Sequence, residues 1–375
     1  MEIGKNQSTL CLSMIVKNEA HVIRRCLESV LPFIDHWVIC DTGSTDGTQN
    51  LIREIMKDKP GELHERAWEN FGHNRQEALA LSAGKADYVL IIDADEWLEC
   101  RDGFDFRTLQ HDAYYISKKQ PGQQYSVCNI VRNDTGWHWV GVLHEYLAND
   151  RDTSFGTIEA EDALIMVRQE GARSLDPDTY RKDAKLLIKA LKKEPDNTRY
   201  QFYLAQSWRD ANEPGFAIKN YRKRIAMGGW QEEVFFSRYQ IALQKDKRGD
   251  AWEECLIEFL KAYEHTPVRA EPLYMIGMHY AEKEQWELAW LYLNRAATMP
   301  EPEHCILFID RAVYAYRAKL EAAVAAFYLG LHEEAINLND AVIACSETPE
   351  RLVDLAKSNR QLSVDLLNRS ASNAA

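Results

Sequence analysis

Apolar and polar positions alternate in two different ways along this chain of 375 residues, which predicts two domains. Up to about residue 171, short apolar runs typical of buried strands alternate with segments whose apolar residues recur at helical spacing. The apolar run at 10–16 is followed by a helical pattern at 21–31, and this order repeats up to the run at 88–92. Repeated strand–helix units predict an α/β, Rossmann-like fold with a mostly parallel sheet and right-handed crossovers.

The pattern changes twice after the run at 88–92. Short strand-like runs at 113–117, 125–132 and 137–147 predict the second half of the sheet domain. We expect this half to form the side of a cleft that holds an acceptor substrate. From about residue 176 only helical spacing remains. We therefore expect an α/β domain over residues 1–172 and an all-α domain over residues 173–375.

The helical part contains an internal repeat. Tetratricopeptide units pair two helices in about 34 residues and place small residues where the helices cross. Three units fit this spacing and a degenerate fourth lies around Ala335; the matching positions are Ala205, Trp208, Ala217 and Tyr221, then Phe259, Ala262 and Pro267, then Gly277, Tyr280, Ala289 and Ala296. We predict a tetratricopeptide-like repeat domain, with an irregular helical domain as the alternative.

One segment of the helical part, residues 312–331, is unusually apolar for the exposed end of a helical array. Because an apolar face of this kind must be covered, we predict that it packs against a second copy in a two-fold homodimer. The alternative is that the terminal helix, at 351–367, covers it within one chain.

Composition excludes several classes of partner. The formal net charge of -13 disfavours binding to nucleic acid or to anionic lipid, which requires a basic surface. The eight cysteines never show Cys-x-x-Cys spacing, which is typical of reduced thiols in a cytoplasmic protein rather than of a zinc site. The first residues contain no apolar signal core, and no apolar run approaches the length of a membrane span. We expect a cytoplasmic protein.

Three acids, Asp93, Asp95 and Glu96, follow directly after the apolar run at 88–92. Five apolar residues in a row are typical of a central strand, and open α/β sheets bind their ligands at the carboxyl ends of such strands. Two carboxylates separated by one small residue can both reach a hard cation such as Mg²⁺ or Mn²⁺, which can carry the phosphates of a nucleotide. A solvated strand end is the alternative interpretation.

Polar motifs also follow the other predicted strands, in a fixed order. Lys17-Asn18-Glu19 ends the first strand, and Asp41-Thr-Gly-Ser-Thr-Asp-Gly-Thr ends the second. Phe71-Gly-His-Asn-Arg-Gln-Glu-Ala-Leu precedes the strand that ends in Asp93-Ala-Asp-Glu. Over residues 9–171 this series resembles the family-2 glycosyltransferases with a GT-A-type nucleotide-sugar domain.

The resemblance implies a nucleotide-sugar donor, with a UDP-sugar as the first expectation. Asp41 matches the acid that contacts uracil, and a carboxylate there can accept a hydrogen bond from a pyrimidine ring N–H; an ordinary turn acid is the alternative. Asn18 and Glu19 lie where the ribose should bind, although a helix cap would explain them as well. Lys17 offers a cation near the diphosphate or is simply solvated.

The resemblance also implies a divalent metal. Asp95 is expected as a direct metal ligand, and Asp93 as a metal and diphosphate residue that contacts the ribose or a metal-bound water. The metal would neutralise the charge that develops on the departing nucleoside diphosphate. Arg75 can pair with a pyrophosphate oxygen or with Asp93. Glu96 extends the acidic edge or is solvated.

The segment Trp137-His-Trp-Val-Gly-Val-Leu-His-Glu-Tyr lies about where inverting members of the family carry their base. Displacement at an anomeric carbon needs one general base, and we expect Glu145 in this role, with Asp134 as the alternative. His144 would ligate the metal or orient Glu145. Since consecutive strand residues point to opposite faces, both can enter the site only if the strand has ended there. Trp137 and Trp139 stack on a sugar or fill the core.

Together these features predict a metal-dependent inverting glycosyltransferase that acts on a glycan, a peptide or protein, or another hydroxyl or thiol acceptor. The helical domain is expected to serve dimerisation or acceptor docking. A nucleotidyltransferase also needs metal carboxylates, but it usually carries a Gly-rich phosphate loop, which Lys17-Asn18-Glu19 lacks. A repeat scaffold with an inactive transferase domain is the third interpretation, and the intact acids Asp41, Asp93 and Asp95 argue against it.

Overall fold

The computed structural model describes residues 7–121 and 123–374, with side chains described up to residue 370. The chain divides into two compact units, Met1–Lys193 and Glu194–Ala375. The unit boundary lies past the 172/173 position expected from the change of pattern, because the next two helices belong with the first unit. The expectation that the chain starts without a signal segment concerns residues 1–6, which lie outside the described residues.

The first unit is an α/β domain, as the sequence predicts. Its strands are β1 (Leu10–Val16), β2 (His36–Asp41), β3 (Gly61–Glu65), β4 (Tyr88–Ile91), β5 (Glu96–Cys100), β6 (Ala113–Gln120), β7 (Gln123–Arg132), β8 (His138–Val140), β9 (Tyr146–Ala148), β10 (Phe155–Ile158) and β11 (Ala163–Val167). Its helices are α1 (Ile23–Val30), α2 (Thr48–Ile55), α3 (Phe71–Leu81), α4 (Ala172–Leu175) and α5 (Thr179–Leu191).

In the described part of the chain, the main sheet has nine strands in the order β3-β2-β1-β4-β7-β6-β11-β5, with β10 paired to β6. The first four strands of this order are parallel to one another, and β7 runs antiparallel to both β4 and β6. The parallel order brings the carboxyl ends of β1, β2 and β4 to one edge of the sheet. The predicted α/β fold with a mostly parallel sheet is confirmed.

Burial explains why the central strands and α1 form where they do. β1 lies between β2 and β4, and six of its seven residues are buried. On α1 the buried residues Ile23, Cys26, Leu27 and Val30 recur at the spacing of one helix face and join the same core as β1. The core therefore fixes the strand ends from which the polar motifs extend.

The single strand predicted at 137–147 is wrong in detail. The structure has two short strands, β8 and β9, which pair antiparallel with each other in a separate sheet. Between them Gly141 and His144 have φ values of 104° and 51°. Positive φ is incompatible with an extended strand, so the chain turns here instead of continuing.

The second unit is helical throughout its regular structure. Its helices are α6 (Thr198–Asp210), α7 (Pro214–Met227), α8 (Gln231–Arg248), α9 (Trp252–His265), α10 (Glu271–Glu282), α11 (Trp286–Ala297), α12 (Ala318–Tyr328), α13 (His332–Ala344) and α14 (Glu350–Ala374), and a π-helical turn, Val313–Arg317, leads into α12. Each helix packs against the next one along the chain, as expected for stacked helical repeats.

The small residues of the predicted repeats lie where helices cross. Ala205, Ala217, Ala262, Ala289 and Ala296 are fully buried. A Cβ on Gly277 of α10 would overlap the side chain of Leu293 on α11, so this crossing has room only for glycine. The tetratricopeptide-like organisation of the helical unit is confirmed.

The apolar segment at 312–331 is largely buried inside the chain. Ala318, Ala322 and Ala325 of α12 are fully buried, and α12 packs against α11 and α13. Ala356 of α14 joins a small apolar cluster with Leu320 of α12 and Val342 of α13. The terminal helix thus covers part of this segment, as in the alternative to the homodimer.

Among the described residues, no helix combines the length and apolar character needed to cross a membrane.

Candidate functional site

A cavity of about 750 Å³ lies at the carboxyl ends of the central strands. Four parts of the first unit line it: the segments after β1, β2 and β4, the start of α3 with the loop before it, the turn between β8 and β9, and the segment from Gly171 into α5. A volume of this size suits a ligand as large as a nucleotide. Eight of the ten predicted site residues line it: Lys17, Asn18, Glu19, Arg75, Asp93, Asp95, His144 and Glu145.

Asn18 connects the ends of β1 and β2. Its φ of 59° lies in the left-handed region, which asparagine tolerates better than most residues. Its backbone N–H donates to Ser44 Oγ (2.8 Å), and its side-chain Oδ1 accepts from the Thr45 N–H (2.8 Å). Asn18 therefore holds the turn after β2 in place beside the cavity, while the neighbouring Lys17 is exposed at its lining.

Asp41, at the carboxyl end of β2, is fully buried. Its Oδ1 accepts hydrogen bonds from the N–H groups of Gly43 (2.9 Å) and Ser44 (2.8 Å) and from the side-chain amide of Gln49 (3.0 Å). Burial raises the pKa of this carboxyl, but the hydrogen bonds outweigh burial and leave the pKa below its usual value. Among the described residues its Oδ2 has no hydrogen-bond partner. A buried carboxylate oxygen without a partner is a ready acceptor for a ligand N–H.

Arg75, on α3, bridges two acids from different parts of the fold. Its Nη2 donates to Asp93 Oδ1 (2.7 Å), and its Nε donates to Glu145 Oε1 (2.6 Å). Its guanidinium also lies over the Trp139 ring, 5.3 Å from the ring centre. Burial favours the neutral form of Arg75, but the charges of Asp93 and Glu145 outweigh burial and raise its pKa. The bridge holds the acid after β4 and the acid of the β8–β9 turn at one point of the cavity.

Asp95 and Glu19 lie near each other at the start of α4. Asp95 Oδ2 accepts from the Gly171 N–H (3.2 Å), and the carboxylate of Glu19 accepts from the Ala172 N–H (3.2 Å). Burial, together with the charge of Asp93, raises the pKa of Asp95. Burial raises the pKa of Glu19 to about 7, and the charge of Asp95 adds to this effect. A cation placed among these acids would stabilise their charged forms.

Glu96 is not a solvated acid. It is buried and forms an ion pair with the buried Lys118 (2.6 Å), while its other oxygen accepts from the Asp93 N–H (3.2 Å). Burial raises the pKa of Glu96, against the opposing effect of the Lys118 charge. Glu96 therefore fixes the turn that presents Asp93 and Asp95.

His144 and Glu145 both line the cavity because β8 has ended before them. The turn that carries them is tied to the start of α3: the Phe71 N–H donates to Val142 O (3.2 Å), and a Cβ on Gly72 would overlap the carbonyl oxygen of Gly141. Glycine at position 72 thus permits α3 to approach the turn. The condition that the sequence set for His144 and Glu145 is met.

Two of the predicted site residues do not line the cavity. The lining includes Thr42 rather than Asp41, whose unpaired oxygen is buried. Asp134 is exposed on the turn before β8, and its carboxylate accepts from the Gly84 N–H (2.8 Å). Asp134, the alternative base, therefore lies outside the cavity that Glu145 lines. Trp137 is buried in a core cluster that Trp139 also contacts.

The sequence does not reveal the part of the lining formed by Gly171 to Leu186. Arg173, Lys182 and Asp183 all face the cavity from α4 and α5. These positions belong to no motif, and the helical spacing of α5 assigns them to the helical domain. The exposed Trp68, in the loop before α3, was also missed; a single aromatic residue in the short segment between β3 and α3 was its only signal.

The oxygen ligands at the cavity suit a hard divalent cation. Asp93 and Asp95 line the cavity on either side of Ala94, and Asp95 Oδ2 accepts a backbone hydrogen bond from the Gly171 N–H. Mg²⁺ and Mn²⁺ favour carboxylate oxygens and often complete their coordination with water and ligand phosphates. In the described part of the chain, no three His, Cys, Asp or Glu residues are grouped to hold a metal by themselves. Two carboxylates and a bound diphosphate fit these side chains better than a closed protein site.

Comparison with known proteins links this site to one family. Residues 11–100 match the family described as Glycosyl transferase family 2. A TPR repeat-containing protein of Synechococcus elongatus is 34% identical over 111 residues, which are 28% of this chain and 26% of that protein. An uncharacterised glycosyltransferase of Rickettsia felis is 24% identical over 256 residues, 66% of this chain and 86% of that protein.

Solved structures that are similar to this chain include TarS 1–349 of S. aureus in complex with UDP-GlcNAc. The TM-score is 0.36 at 14% identity, and the match covers 68% of this chain and 91% of that one. The chain spans about a quarter of the length of the Synechococcus relative.

Proposed function

We propose that this chain, whose residues 11–100 match the family described as Glycosyl transferase family 2, transfers a sugar from a nucleotide-sugar donor to a hydroxyl or thiol acceptor. One observation carries the proposal: Arg75 joins Asp93 and Glu145 within a single cavity. The reaction needs a residue near the donor diphosphate and a base near the acceptor. The Arg75 bridge holds one candidate for each role at the same place.

The buried Oδ2 of Asp41 supports a uridine donor. A ring N–H of uracil would donate to this oxygen, which has no hydrogen-bond partner in the described part of the chain. The hydrogen bonds of Gly43, Ser44 and Gln49 to Oδ1 keep the group charged and oriented. A UDP-sugar is therefore the proposed donor, with its ribose toward Asn18 and Glu19 and its diphosphate toward Lys17, Asp93 and Asp95.

Asp93 and Asp95 would hold a divalent metal together with the donor diphosphate. When bound, such a metal neutralises the charge that develops on the departing diphosphate. Asp95 is the proposed direct ligand, because Arg75 already occupies one oxygen of Asp93. The buried ion pair between Glu96 and Lys118 stabilises the turn that carries Asp93 and Asp95. His144 lies at the same lining and either ligates the metal or orients Glu145.

Glu145 is the proposed general base of an inverting, single-displacement transfer. Arg75 holds Oε1 of Glu145, which leaves Oε2 to accept the proton of the acceptor. The bridge to Arg75 also fixes the carboxylate in position before the substrates bind, which reduces the entropy lost on reaching the reactive geometry. The helical unit is proposed to serve acceptor docking or dimerisation.

A panel of nucleotide-sugars tests the proposed function on the full chain. A ligand that binds the folded state alone stabilises it by about 2.7 kcal/mol at a hundred times its dissociation constant, so thermal shift reports binding directly. We expect UDP-sugars with Mn²⁺ to raise the melting temperature more than GDP-sugars with Mn²⁺, and more than UDP-sugars in EDTA. Release of UDP in the presence of Mn²⁺ then measures turnover. A chain that binds none of the nucleotide-sugars would refute the proposal.

A further inference from the structure

We propose that the part of the cavity lined by Trp68, Phe71, Arg173, Lys182 and Asp183 is a subsite for a carbohydrate acceptor. This acceptor subsite rests on the proposed function and adds the class of molecule that receives the sugar. All five side chains line the cavity, and none belongs to the motifs that carry the family resemblance, except Phe71 as the first residue of α3.

The aromatic side of the acceptor subsite has the chemistry that binds a sugar ring. Trp68 is 41% exposed although it lines a cavity, so a large apolar ring is available to a ligand. Its ring meets Phe71 edge to face, with centres 4.7 Å apart, which fixes its orientation. The apolar C–H face of a pyranose packs on such a ring while its hydroxyl groups stay at the edge for polar partners.

The polar side offers paired charges rather than a net charge. The guanidinium of Arg173 lies over the Phe71 ring at 4.8 Å and donates twice to Asp183, at 2.9 and 2.5 Å. Lys182 forms an ion pair with Asp176, which also lines the cavity. Each cation has an acid beside it, so this side presents donors and acceptors without attracting an anion. Neutral hydroxyl groups, which both donate and accept, match this arrangement better than a phosphate does.

The acceptor subsite is connected to the proposed base. Phe71 lies one helical turn before Arg75 on the same face of α3, and Arg75 holds Glu145. The Phe71 N–H also donates to Val142, three residues before Glu145 in the turn. A sugar stacked on Trp68 would therefore be held on the same rigid segments that hold the base. A nucleobase is the other kind of ligand that could stack on Trp68, and the experiment separates the two.

The test uses the full chain saturated with UDP and Mn²⁺ and a panel of neutral methyl glycosides. Saturation-transfer NMR on the parent protein should show transfer to the ring C–H protons of at least one glycoside. Trp68→Ala should weaken glycoside binding about tenfold, whereas Trp68→Phe should retain most of it because a ring remains. Tyr115→Ala is the matched control: Tyr115 is similarly exposed, at 39%, and lies in β6 outside the cavity lining, so its loss should leave glycoside binding unchanged. Melting curves establish that each variant is folded.

UDP affinity measured on the same variants decides between the ligands. A fall in UDP affinity for Trp68→Ala with unchanged glycoside binding would assign Trp68 to the nucleobase and overturn the acceptor subsite. A parent protein that binds UDP but no glycoside would also overturn the subsite and leave the proposed function standing. A parent protein that binds no nucleotide-sugar would refute the proposed function and the subsite with it. Lys182→Met should weaken glycoside binding and leave UDP affinity unchanged.

Discussion

At the scale of single residues, the site is built from acids whose partners differ. Asp93 and Glu145 share one cation, Arg75, whereas Asp95 accepts from a backbone N–H, and one oxygen of Asp41 has no partner among the residues that the structure describes. The difference decides which acid is free for a ligand, because a carboxylate without a cationic partner gains most from a bound metal or donor group. Substitutions at these acids should therefore have different effects.

Asp95→Asn should abolish turnover and weaken UDP binding in Mn²⁺ much more than in EDTA. An amide cannot supply the negative charge that a hard cation requires, whereas contacts to UDP that do not involve metal are retained. Calorimetric titration of UDP in both conditions measures the effect. Asp134→Asn is the control, because Asp134 lies outside the cavity lining. Equal UDP affinity of Asp95→Asn and the parent in both conditions would contradict the metal assignment.

Glu145→Gln should keep nucleotide-sugar binding and reduce transfer by roughly a hundredfold or more, the scale of a lost general base. Glutamine preserves an oxygen for Arg75, so the shape of the site changes little. Turnover under saturating donor and acceptor is the measurement, with the binding of donor as the control. Near-normal transfer would remove Glu145 from the role of base.

Glu19 should give the folded protein a measurable pH dependence. Burial raises its pKa to about 7, above the value of about 4.3 for an exposed glutamate. Because the folded state binds this proton more tightly, its stabilising contribution is complete below about pH 4 and is lost as the pH rises to about 7. The free energy of unfolding of Glu19→Gln, relative to the parent, should therefore increase over this range in EDTA.

Urea denaturation at several pH values measures the relative stability of Glu19→Gln. Glu264→Gln, at an exposed position, serves as the control for the loss of one carboxylate. A flat difference for Glu19→Gln would show that Glu19 titrates in the folded state as an exposed acid does.

The sequence already indicated most of these residues, because acids at strand ends are visible as breaks in apolar runs. It could not show that Arg75 contacts Glu145, which is 70 residues further along, since that contact depends on the turn between β8 and β9. For the same reason Glu96 looked like an edge acid: its partner Lys118 comes from β6. Contacts between residues far apart in the sequence cannot be predicted from the pattern of apolar and polar positions alone.

At the scale of elements, the start of α3 and the turn at 141–145 are joined by direct backbone contacts. Strand and helix periods predicted α3 well, but an apolar run at 137–147 concealed the turn, because positive φ at His144 leaves no trace in a pattern of apolar and polar residues. Likewise, helical spacing in the sequence assigned α5 to the second domain, although α5 belongs to the first unit and lines its cavity.

Gly72→Ala should damage the site through this contact between elements. The added methyl group would overlap the backbone oxygen of Gly141, which no side-chain rotation can relieve. We expect a loss of about 1–3 kcal/mol in unfolding free energy and a fall in transfer activity, because the turn that carries Glu145 must move. Both are measured on the full chain, by urea denaturation and by UDP release.

Gly215→Ala is a matched control for the element prediction. Gly215 lies in α7, and a Cβ there meets nothing within 4 Å. The same substitution should raise stability by about 0.4–1 kcal/mol, since alanine reduces the freedom of the unfolded chain without a clash. Unchanged activity and stability in Gly72→Ala would show that the turn accommodates the methyl group.

At the scale of the whole molecule, composition and period predicted both folds. The family-2 resemblance is confirmed over residues 11–100, and the repeat positions lie at the helix crossings. The partner of the apolar segment at 312–331 was not predictable, because a helix from the same chain and a helix from a second copy satisfy the same apolar pattern. The structure gives α12 neighbours within the chain, including α13 and α14.

Removal of α14 tests which partner matters. A chain ending near Thr348 loses Ala356 and exposes the cluster around Leu320 and Val342, so we expect a lower melting temperature and association of the shortened chain. Light scattering of the full and shortened chains across micromolar concentrations measures this. A full chain of monomeric mass would refute the homodimer and support α14 as the cover, whereas a doubled mass retained by the shortened chain would support the homodimer. Loss of a doubled mass on removal of α14 would place the contact between copies on α14 itself, because Leu320 and Val342 remain in both chains.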